Sequence, residues 1–290
     1  MRRIIAALLA ASAISISVAN AADLPAKAPV YKAPVVAAPH NWTGFYIGVN
    51  GGYGWSDRTV DYTPNDAAIL RWTCGVFTFY TCPPPASFNS NGAVAGGQIG
   101  YNWQLNTNWL VGIEADFDWS GIKGSGISNS ITGPAGPPGT PTTFVTDESV
   151  KYFGTVRGRL GFIPTAPLLI YATGGLAYGK VTENSVMNES TGGFGATFGG
   201  FGFLCVAGPN CFVGSSSKVL TGWTVGAGGE YMITDHVTLK AEYLYVDLGN
   251  MDSFNAVATN SSSAPNPSSF SVNTSSVRFS VVRAGLNWKF

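Results

Sequence analysis

Residues 109–119 constrain the fold more than any other segment, because apolar and polar side chains alternate along them with a period of two. The apolar face consists of Trp109, Val111, Ile113, Ala115, Phe117 and Trp119, and the opposite face carries Gly112, Glu114, Asp116 and Asp118. This alternation predicts a β-strand between two different environments. The apolar face could meet a soluble core, or it could meet lipid while the acids point into a barrel lumen. Carboxylates two residues apart on a strand, roughly 6.5–7 Å at Cα, also suit a glycosidase-type acid pair.

Seven further segments show the same alternation, which favours a barrel over the other two interpretations. They begin near Phe45, Ala93, Tyr152, Ile170, Trp223, Val237 and Val282. Charged residues make up only 11% of the chain, against about 25% in ordinary globular proteins. After the N-terminal leader, no apolar run is long enough for a transmembrane helix. The composition therefore indicates an all-β protein.

The connections between these segments alternate between short and long. Residues 104–108, 163–167 and 233–235 form short turns, and the long connections are residues 56–90, 121–148, 183–218 and 249–275. Short turns at one end and long loops at the other are typical of outer-membrane barrels, which in bacteria have an even number of strands. We therefore predict an eight-stranded antiparallel up-and-down transmembrane β-barrel with four long extracellular loops.

Aromatic residues gather at both ends of the predicted strands. The short-turn end has Phe45, Trp103, Trp109, Phe162, Tyr231, Trp288 and Phe290, and the long-loop end has Trp55, Trp119, Tyr178, Tyr243 and Tyr245. Barrels place two such girdles at the two membrane–water interfaces. A soluble β-sandwich has no reason to produce them.

The first 41 residues divide into two targeting and linking segments. Residues 1–21 contain two arginines, an apolar run and an Ala-Asn-Ala cleavage site, which predict a secretory signal peptide. Residues 22–41 are rich in proline and alanine and predict a semi-rigid periplasmic tether. The barrel is then expected to occupy residues 42–290.

The four cysteines lie in two of the long connections. They allow three pairings, and the simplest is Cys74–Cys82 with Cys205–Cys211, because each pair is close in sequence and export implies an oxidising compartment. No histidine lies near either pair, so the sequence argues against a metal site, and we expect no cofactor.

The inward face of the predicted barrel is charged. Its residues are Glu114, Asp116, Glu230 and Glu242 with Arg157, Arg159, Lys240, Arg283 and Lys289, while Asp118 is expected above the membrane. An eight-stranded barrel is only wide enough for its own side chains, and unpaired charges in it would be costly. We therefore expect a salt-bridged plug, in which the acids of residues 109–119 face Arg157 and Arg159 on the adjacent strand. A narrow ion path through this network is the alternative.

Enzymatic and nucleic-acid functions find little support. The chain lacks the P-loop, HExxH and GxSxG motifs, and an acid pair held by arginines would make a poor general acid. It has only two histidines, and its formal net charge is zero. The charge balance argues against nucleic-acid binding.

Four segments carry a family resemblance: residues 22–25 (Ala-Asp-Leu-Pro), 42–48 (Trp-Thr-Gly-Phe-Tyr-Ile-Gly), 239–245 (Leu-Lys-Ala-Glu-Tyr-Leu-Tyr) and 286–290 (Leu-Asn-Trp-Lys-Phe). With them the chain resembles the small outer-membrane barrel proteins of alphaproteobacteria. That family has an OmpA-like eight-stranded barrel, and its members are described as porin-family proteins, surface antigens and, in some cases, hemin-binding proteins. The resemblance implies that Phe290 is a signal for the barrel-assembly machinery. It also implies that a mature Ala22-Asp23 terminus is attached to peptidoglycan.

These observations predict an outer-membrane barrel that supports envelope integrity and surface interactions without catalysis. A low-conductance porin for small solutes or ions is the first alternative, and a hemin- or ligand-binding surface protein is the second. The expected partners are outer-membrane lipid and lipopolysaccharide, the assembly machinery, peptidoglycan, and an unknown extracellular partner at the loops.

Overall fold

The computed structural model describes residues 41–73, 82–132, 140–189, 194–205, 208–259 and 266–290, which contain 14 β-strands and one short helix. The strands are β1 Gly44–Pro64, β2 Ala86–Gln104, β3 Trp109–Ser120, β4 Lys123–Thr132, β5 Thr140–Thr165, β6 Leu168–Glu189, β7 Phe194–Phe198, β8 Phe201–Cys205, β9 Gly208–Met232, β10 Val237–Asp247, β11 Phe254–Ala258, β12 Asn266–Pro267, β13 Ser269–Thr274 and β14 Arg278–Lys289. Helix α1 is Ala67–Thr73. Among the described residues, no helix is both long and apolar enough to cross a membrane.

The structure confirms an antiparallel all-β barrel, although it has more strands than the eight that the sequence predicts. Eight of the strands pair in a closed ring, in the order β1, β2, β3, β5, β6, β9, β10 and β14. The ring closes where β14 returns to β1, with Tyr46 opposite Lys289 and Trp55 opposite Ser280. Because every strand of this ring has two neighbours, its backbone groups are paired without water, as a membrane requires.

The alternation in the sequence becomes an apolar exterior and a polar interior. On β3, Ile113 and Trp119 are exposed on the outer surface, whereas Glu114 and Asp118 are buried inside. Aromatic pairs mark both ends of the wall, such as Phe45 with Phe290 at the short-turn end and Trp223 with Tyr245 at the other. The outer surface between these ends is the membrane-facing belt.

Beyond the upper aromatic residues, the wall continues as β-structure. The long connections of the sequence analysis therefore contain strand, because β1, β2, β5, β6 and β9 extend into them and β4, β11 and β13 lie entirely within them. The alternation is inverted here: apolar Val60, Phe144 and Val181 point inward and are buried, while the outward face is mostly polar. The reason is that the exterior of this extension meets water instead of lipid. This region, from the upper aromatic residues outward, is the outer extension.

A small cap completes the outer end. Strands β7, β8 and β12 form a separate three-stranded sheet, and a disulfide links Cys205 to Cys211, whose Cα atoms are 5.1 Å apart. Helix α1 begins after Asp66, whose Oδ1 accepts the backbone N–H groups of Ala68 and Ile69 at 3.1 Å. This arrangement satisfies the free donors of the first helical turn. Ile69 then packs into the apolar core of the outer extension.

Candidate functional site in the barrel lumen

Five wall strands place nine ionisable side chains in one buried group at the middle of the barrel, which we call the lumen cluster. Its members are Glu114, Asp116 and Asp118 on β3, Arg157 and Arg159 on β5, Glu230 on β9, Lys240 and Glu242 on β10, and Arg283 on β14. All of them are buried. Strand alternation explains why all nine lie inside the barrel, since each occupies one of the alternate positions of its strand whose side chains point inward.

Arg157 is the centre of the lumen cluster. Its Nη2 lies 2.5 Å from Glu114 Oε1 and 2.8 Å from Asp116 Oδ2, and its Nη1 lies 2.8 Å from Glu242 Oε1. Glu114 is directly opposite Arg157 in the β3–β5 register, but Glu242 comes from β10, which is not a neighbour of β5. One planar guanidinium thus joins three carboxylates across the lumen.

Arg159 occupies the next level toward the periplasm. Its Nη2 lies 2.8 Å from Glu230 Oε2, and its Nη1 donates a hydrogen bond to the Tyr46 hydroxyl at 2.6 Å. That hydroxyl donates in turn to Glu114 Oε2 at 2.6 Å. The guanidinium also lies over the ring of Tyr171, 4.0 Å from its centroid. The alternation beside Ile47 and Ile170 places both tyrosines on the inward face, but the sequence analysis did not include them in the candidate site.

Arg283 and Lys240 close the upper and opposite sides of the cluster. Arg283 lies 2.6 Å from both Asp116 and Asp118 and 2.8 Å from Glu242. Lys240 Nζ lies 2.6 Å from Glu114 Oε1 and 3.4 Å from Glu242 Oε2. The sequence analysis left Asp118 out of the charged network, but it is fully buried and forms an ion pair with Arg283 across the lumen.

Lys289 does not belong to the cluster, contrary to the sequence prediction. It is only half-buried, and its Nζ contacts the backbone carbonyl of Asn41 at the periplasmic rim. Its parity does point inward, but Lys289 is the last residue of β14. Parity determines the side of the wall on which a residue lies and says nothing about its depth.

Apolar layers enclose the cluster on both sides. The periplasmic layer consists of Trp42, Leu110, Ile163, Leu169, Tyr171 and Met232. The layer on the extracellular side includes Val94, Ile122, Val150, Phe153, Val181, Leu244, Val246, Phe279 and Val281. The Trp42 indole donates to the Ala166 carbonyl at 3.2 Å and is almost completely buried. The sequence analysis did not identify the layer on the extracellular side. Residues such as Leu244 point inward but are apolar like the outward-facing residues beside them in the strand, so no alternation of apolar and polar side chains is visible there.

A second charged group lies in the outer extension, in a region that the sequence analysis treated as loop. Arg58 Nε and Nη2 lie 2.8 and 2.5 Å from Glu148 Oε2, and Nη2 lies 3.5 Å from Glu183 Oε1. The same guanidinium donates to the Ser275 carbonyl at 2.6 Å. Burial, reinforced by the neighbouring Glu148 carboxylate, raises the pKa of Glu183 to about 7. All three ionisable side chains are buried.

The remaining predicted residues lie elsewhere. Phe290 is exposed on the outer surface, and its ring is 5.7 Å from that of Phe45. Cys82 is disulfide-bonded, but its predicted partner Cys74 lies outside the described residues, as do Ala22 and Asp23.

The acidic and basic side chains of the lumen cluster neutralise one another. Each of its five carboxylates lies within 2.8 Å of at least one guanidinium or ammonium group. The apolar layers separate these groups from bulk water. Among the described residues, no three His, Cys, Asp or Glu side chains form a group suited to a metal ion.

The closed ring, the apolar outer belt and the filled lumen together define a transmembrane β-barrel. The chain belongs to the outer membrane protein β-barrel domain family, whose model matches residues 6–290. It is an outer-membrane protein.

Relatives in alphaproteobacteria have the same location. The chain is 34% identical to the 31 kDa outer-membrane immunogenic protein of Brucella melitensis, over 99% of this chain and 97% of that protein. It is 28% identical to the 22 kDa outer membrane protein of Rhizobium leguminosarum, over 76% of this chain and 71% of that one. Among solved structures, OprG of Pseudomonas aeruginosa is 13% identical with a TM-score of 0.38, over 88% of this chain and 99% of OprG.

Proposed function

We propose that this protein is a closed, non-catalytic barrel that anchors in the outer membrane and holds a β-structured extension at the cell surface. Its role in this proposal is structural, supporting envelope integrity and surface interactions. The observation that carries the proposal is the filling of the lumen by successive apolar and charged layers.

The layering argues against conduction because an ion needs a continuous polar path. A path from the periplasm would first meet buried Trp42, Leu110 and Leu169. It would then meet the lumen cluster, where Arg157 and Arg283 are each held by three acids within 2.8 Å. Separating buried charges costs several kcal/mol per ion, of the order of 3–5 kcal/mol for one lost partner.

The outer extension supports the surface role. Strands β5 and β6 stay paired from the periplasmic turn to Glu189, with Thr142 opposite Glu189 at the outer end. Its own core includes Phe212 and Phe270, which are fully buried. Because the extension has paired strands and a core, it presents a defined surface to a partner.

Planar lipid bilayers test the proposal directly. We expect the purified, folded protein to insert without producing reproducible conductance steps, because no polar path crosses the apolar layers. Insertion is verified in the same preparation by the heat-dependent shift in gel mobility that folded barrels show. Reproducible steps whose size changes in an Arg157→Met or Glu114→Gln variant would establish the low-conductance porin instead.

Two further expectations stay predictions. Attachment to peptidoglycan concerns Ala22 and Asp23, outside the described residues, and muropeptides from purified cell wall should carry that terminus if it is correct. Recognition of Phe290 by the assembly machinery predicts that its deletion lowers the amount of folded protein in the membrane.

Hemin capture gains no support from the described part of the chain, where the histidine, His236, lies at a periplasmic turn with Nδ1 3.0 Å from the Lys289 carbonyl.

A further inference from the structure

The outward-facing cations of the wall are unevenly distributed around the barrel: Lys123 and Lys151 are exposed, and Lys180 is half-buried. Lys123 on β4, Lys151 on β5 and Lys180 on β6 lie on three neighbouring strands, just outside the upper aromatic residues. We call these three residues the lysine patch. Within the described residues, none of them has a carboxylate within the 4.0 Å of an ion pair, although ion pairs are frequent elsewhere in the wall.

Strand register brings the three lysines together. Lys123 is opposite Ser149, and Lys180 is opposite Tyr152. Lys151 occupies an irregularity in the β5–β6 register between Val150 and Tyr152, and it is exposed on the outside. Neighbouring strands are about 4.8 Å apart and the rise per residue is about 3.3 Å, so the three Cα atoms span roughly 10 Å around the wall and up to roughly 10 Å along it. Their flexible side chains can therefore reach one ligand.

An aromatic surface lies directly below the patch, on the membrane side. The Phe117 ring is 5.2 Å from that of Trp119 and 5.4 Å from that of Tyr152. Tyr178 lies over Gly154, where a Cβ atom would come 2.5 Å from its hydroxyl oxygen. Glycine at this position thus lets the tyrosine lie against the wall. The surface combines flat apolar rings with cations at their polar edge.

The other exposed cations at this level are neutralised. Arg278 Nε lies 2.9 Å from Asp247 Oδ2, and Lys218 forms an ion pair with Asp252. On β1, the residue just beyond Trp55 on the same face is the exposed acid Asp57. One exposed acid, Asp147, lies near the patch and lines a groove of about 420 Å³ together with Lys123. The β4–β6 side therefore carries excess positive charge, and the β1 side does not.

We propose that the lysine patch binds the phosphate groups of the phosphorylated glycolipid of the outer leaflet, lipopolysaccharide, while its acyl chains lie on the aromatic surface below. Three unpaired cations at the membrane boundary match a ligand with several phosphates, and the adjoining rings match its apolar part. Lysines whose only role is to place their ammonium groups in water would have no reason to cluster on one side of the barrel. The proposal rests on the location in the outer membrane and is independent of whether the lumen conducts.

The test compares two variants that remove the same charge. Lys151→Gln/Lys180→Gln removes two members of the patch, and Lys218→Gln/Arg278→Gln removes two cations outside the patch that are already paired with Asp252 and Asp247. Binding of lipid A carrying both phosphates is measured in neutral detergent by native mass spectrometry. We expect the patch variant to bind roughly 25-fold more weakly, since each basic residue near an anionic lipid surface contributes about a factor of five.

The control variant should bind within about threefold of the wild type, because its cations are already paired. Dephosphorylated lipid A should bind the wild-type protein as weakly as phosphorylated lipid A binds the patch variant. Equal affinity of the two double variants would overturn the proposal, and so would undiminished binding of the dephosphorylated lipid. Circular dichroism and heat-dependent gel mobility verify that all proteins are folded. Bilayer conductance is a separate measurement, so a failure of the plugged-barrel proposal would be recognised independently.

Discussion

Arg157 illustrates how a single residue organises the lumen. Its guanidinium contacts Glu114, Asp116 and Glu242 while the side chain is completely buried. The lumen cluster has five acids and four bases, so removal of one base leaves two uncompensated negative charges in a site closed to water. A buried ion pair adds little when compared with apolar residues, but the loss of one partner is strongly destabilising.

Replacement of Arg157 by Met, which keeps much of the side-chain volume, should lower the free energy of unfolding by about 3–5 kcal/mol. Unfolding by denaturant in lipid vesicles, followed by tryptophan fluorescence, measures the change. Arg278→Met is the control, because its pair with Asp247 is more than half exposed on the arginine side and should contribute under about 1 kcal/mol. Equal losses in the two variants would contradict a tightly coupled cluster.

At the scale of the strand, β5 passes from the lipid of the membrane into the water around the outer extension. The inward face of β5 carries Arg159 and Arg157 inside the membrane, and farther out it carries Phe153, Glu148 and Phe144. The outward face changes from apolar to polar at the same height. A single strand can pass through both regions because its side chains alternate between the two faces whichever face is apolar.

The buried acid Glu183 gives the outer extension a pH dependence. It shares Arg58 with Glu148 and accepts a hydrogen bond from the Thr274 hydroxyl at 2.9 Å. Its folded pKa of about 7 lies above the ordinary value of 4.5, so the folded state holds the proton more tightly than the unfolded state does. Stability is therefore highest below the ordinary pKa and falls as the pH rises through 7, by about 3 kcal/mol in total.

Hydrogen exchange of the amides of residues 181–187 measures this effect after correction for intrinsic rates. We expect weaker protection at pH 8 than at pH 5 in the wild type and little difference in Glu183→Gln. Asp147→Asn is the control, since Asp147 is exposed on the outer face of the same region and should leave the pH dependence unchanged. Protection that rises with pH would show that Glu183 is not the group responsible.

At the scale of the whole molecule, the inside of the barrel is built from several buried layers in series. The periplasmic apolar layer, the lumen cluster, the upper apolar layer and the core of the outer extension follow one another along the axis. Each layer draws on several strands, so in the proposed plugged barrel closure is distributed over the ring. We therefore predict that this barrel has no single gate.

Trp42→Ala tests the distributed closure. The side chain is almost completely buried, and its loss should lower the free energy of unfolding by about 3–5 kcal/mol. The bilayer should nevertheless stay free of conductance steps, because the lumen cluster and the upper apolar layer remain in place. Conductance in this variant, with none in the wild type, would identify the periplasmic layer as the gate.

The sequence alone determined the class of fold and the side of the wall on which each residue lies. Period-two alternation, the order of short and long connections and the two aromatic girdles are local properties, and strand geometry converts them directly into an inside and an outside. The family resemblance led to the same architecture. Arg157 and Glu114 could thus be placed on facing positions of adjacent strands.

Depth and contacts across the lumen were decided only by the tertiary structure. Arg283 on β14 and Asp116 on β3 are 167 positions apart and belong to strands that are not neighbours, yet they form a 2.6 Å pair. Lys289 at the rim, Asp118 in the cluster and the strands of the outer extension also departed from expectation. The physical reason is that closing the ring sets the stagger of every strand against all the others, a collective quantity that no single segment encodes.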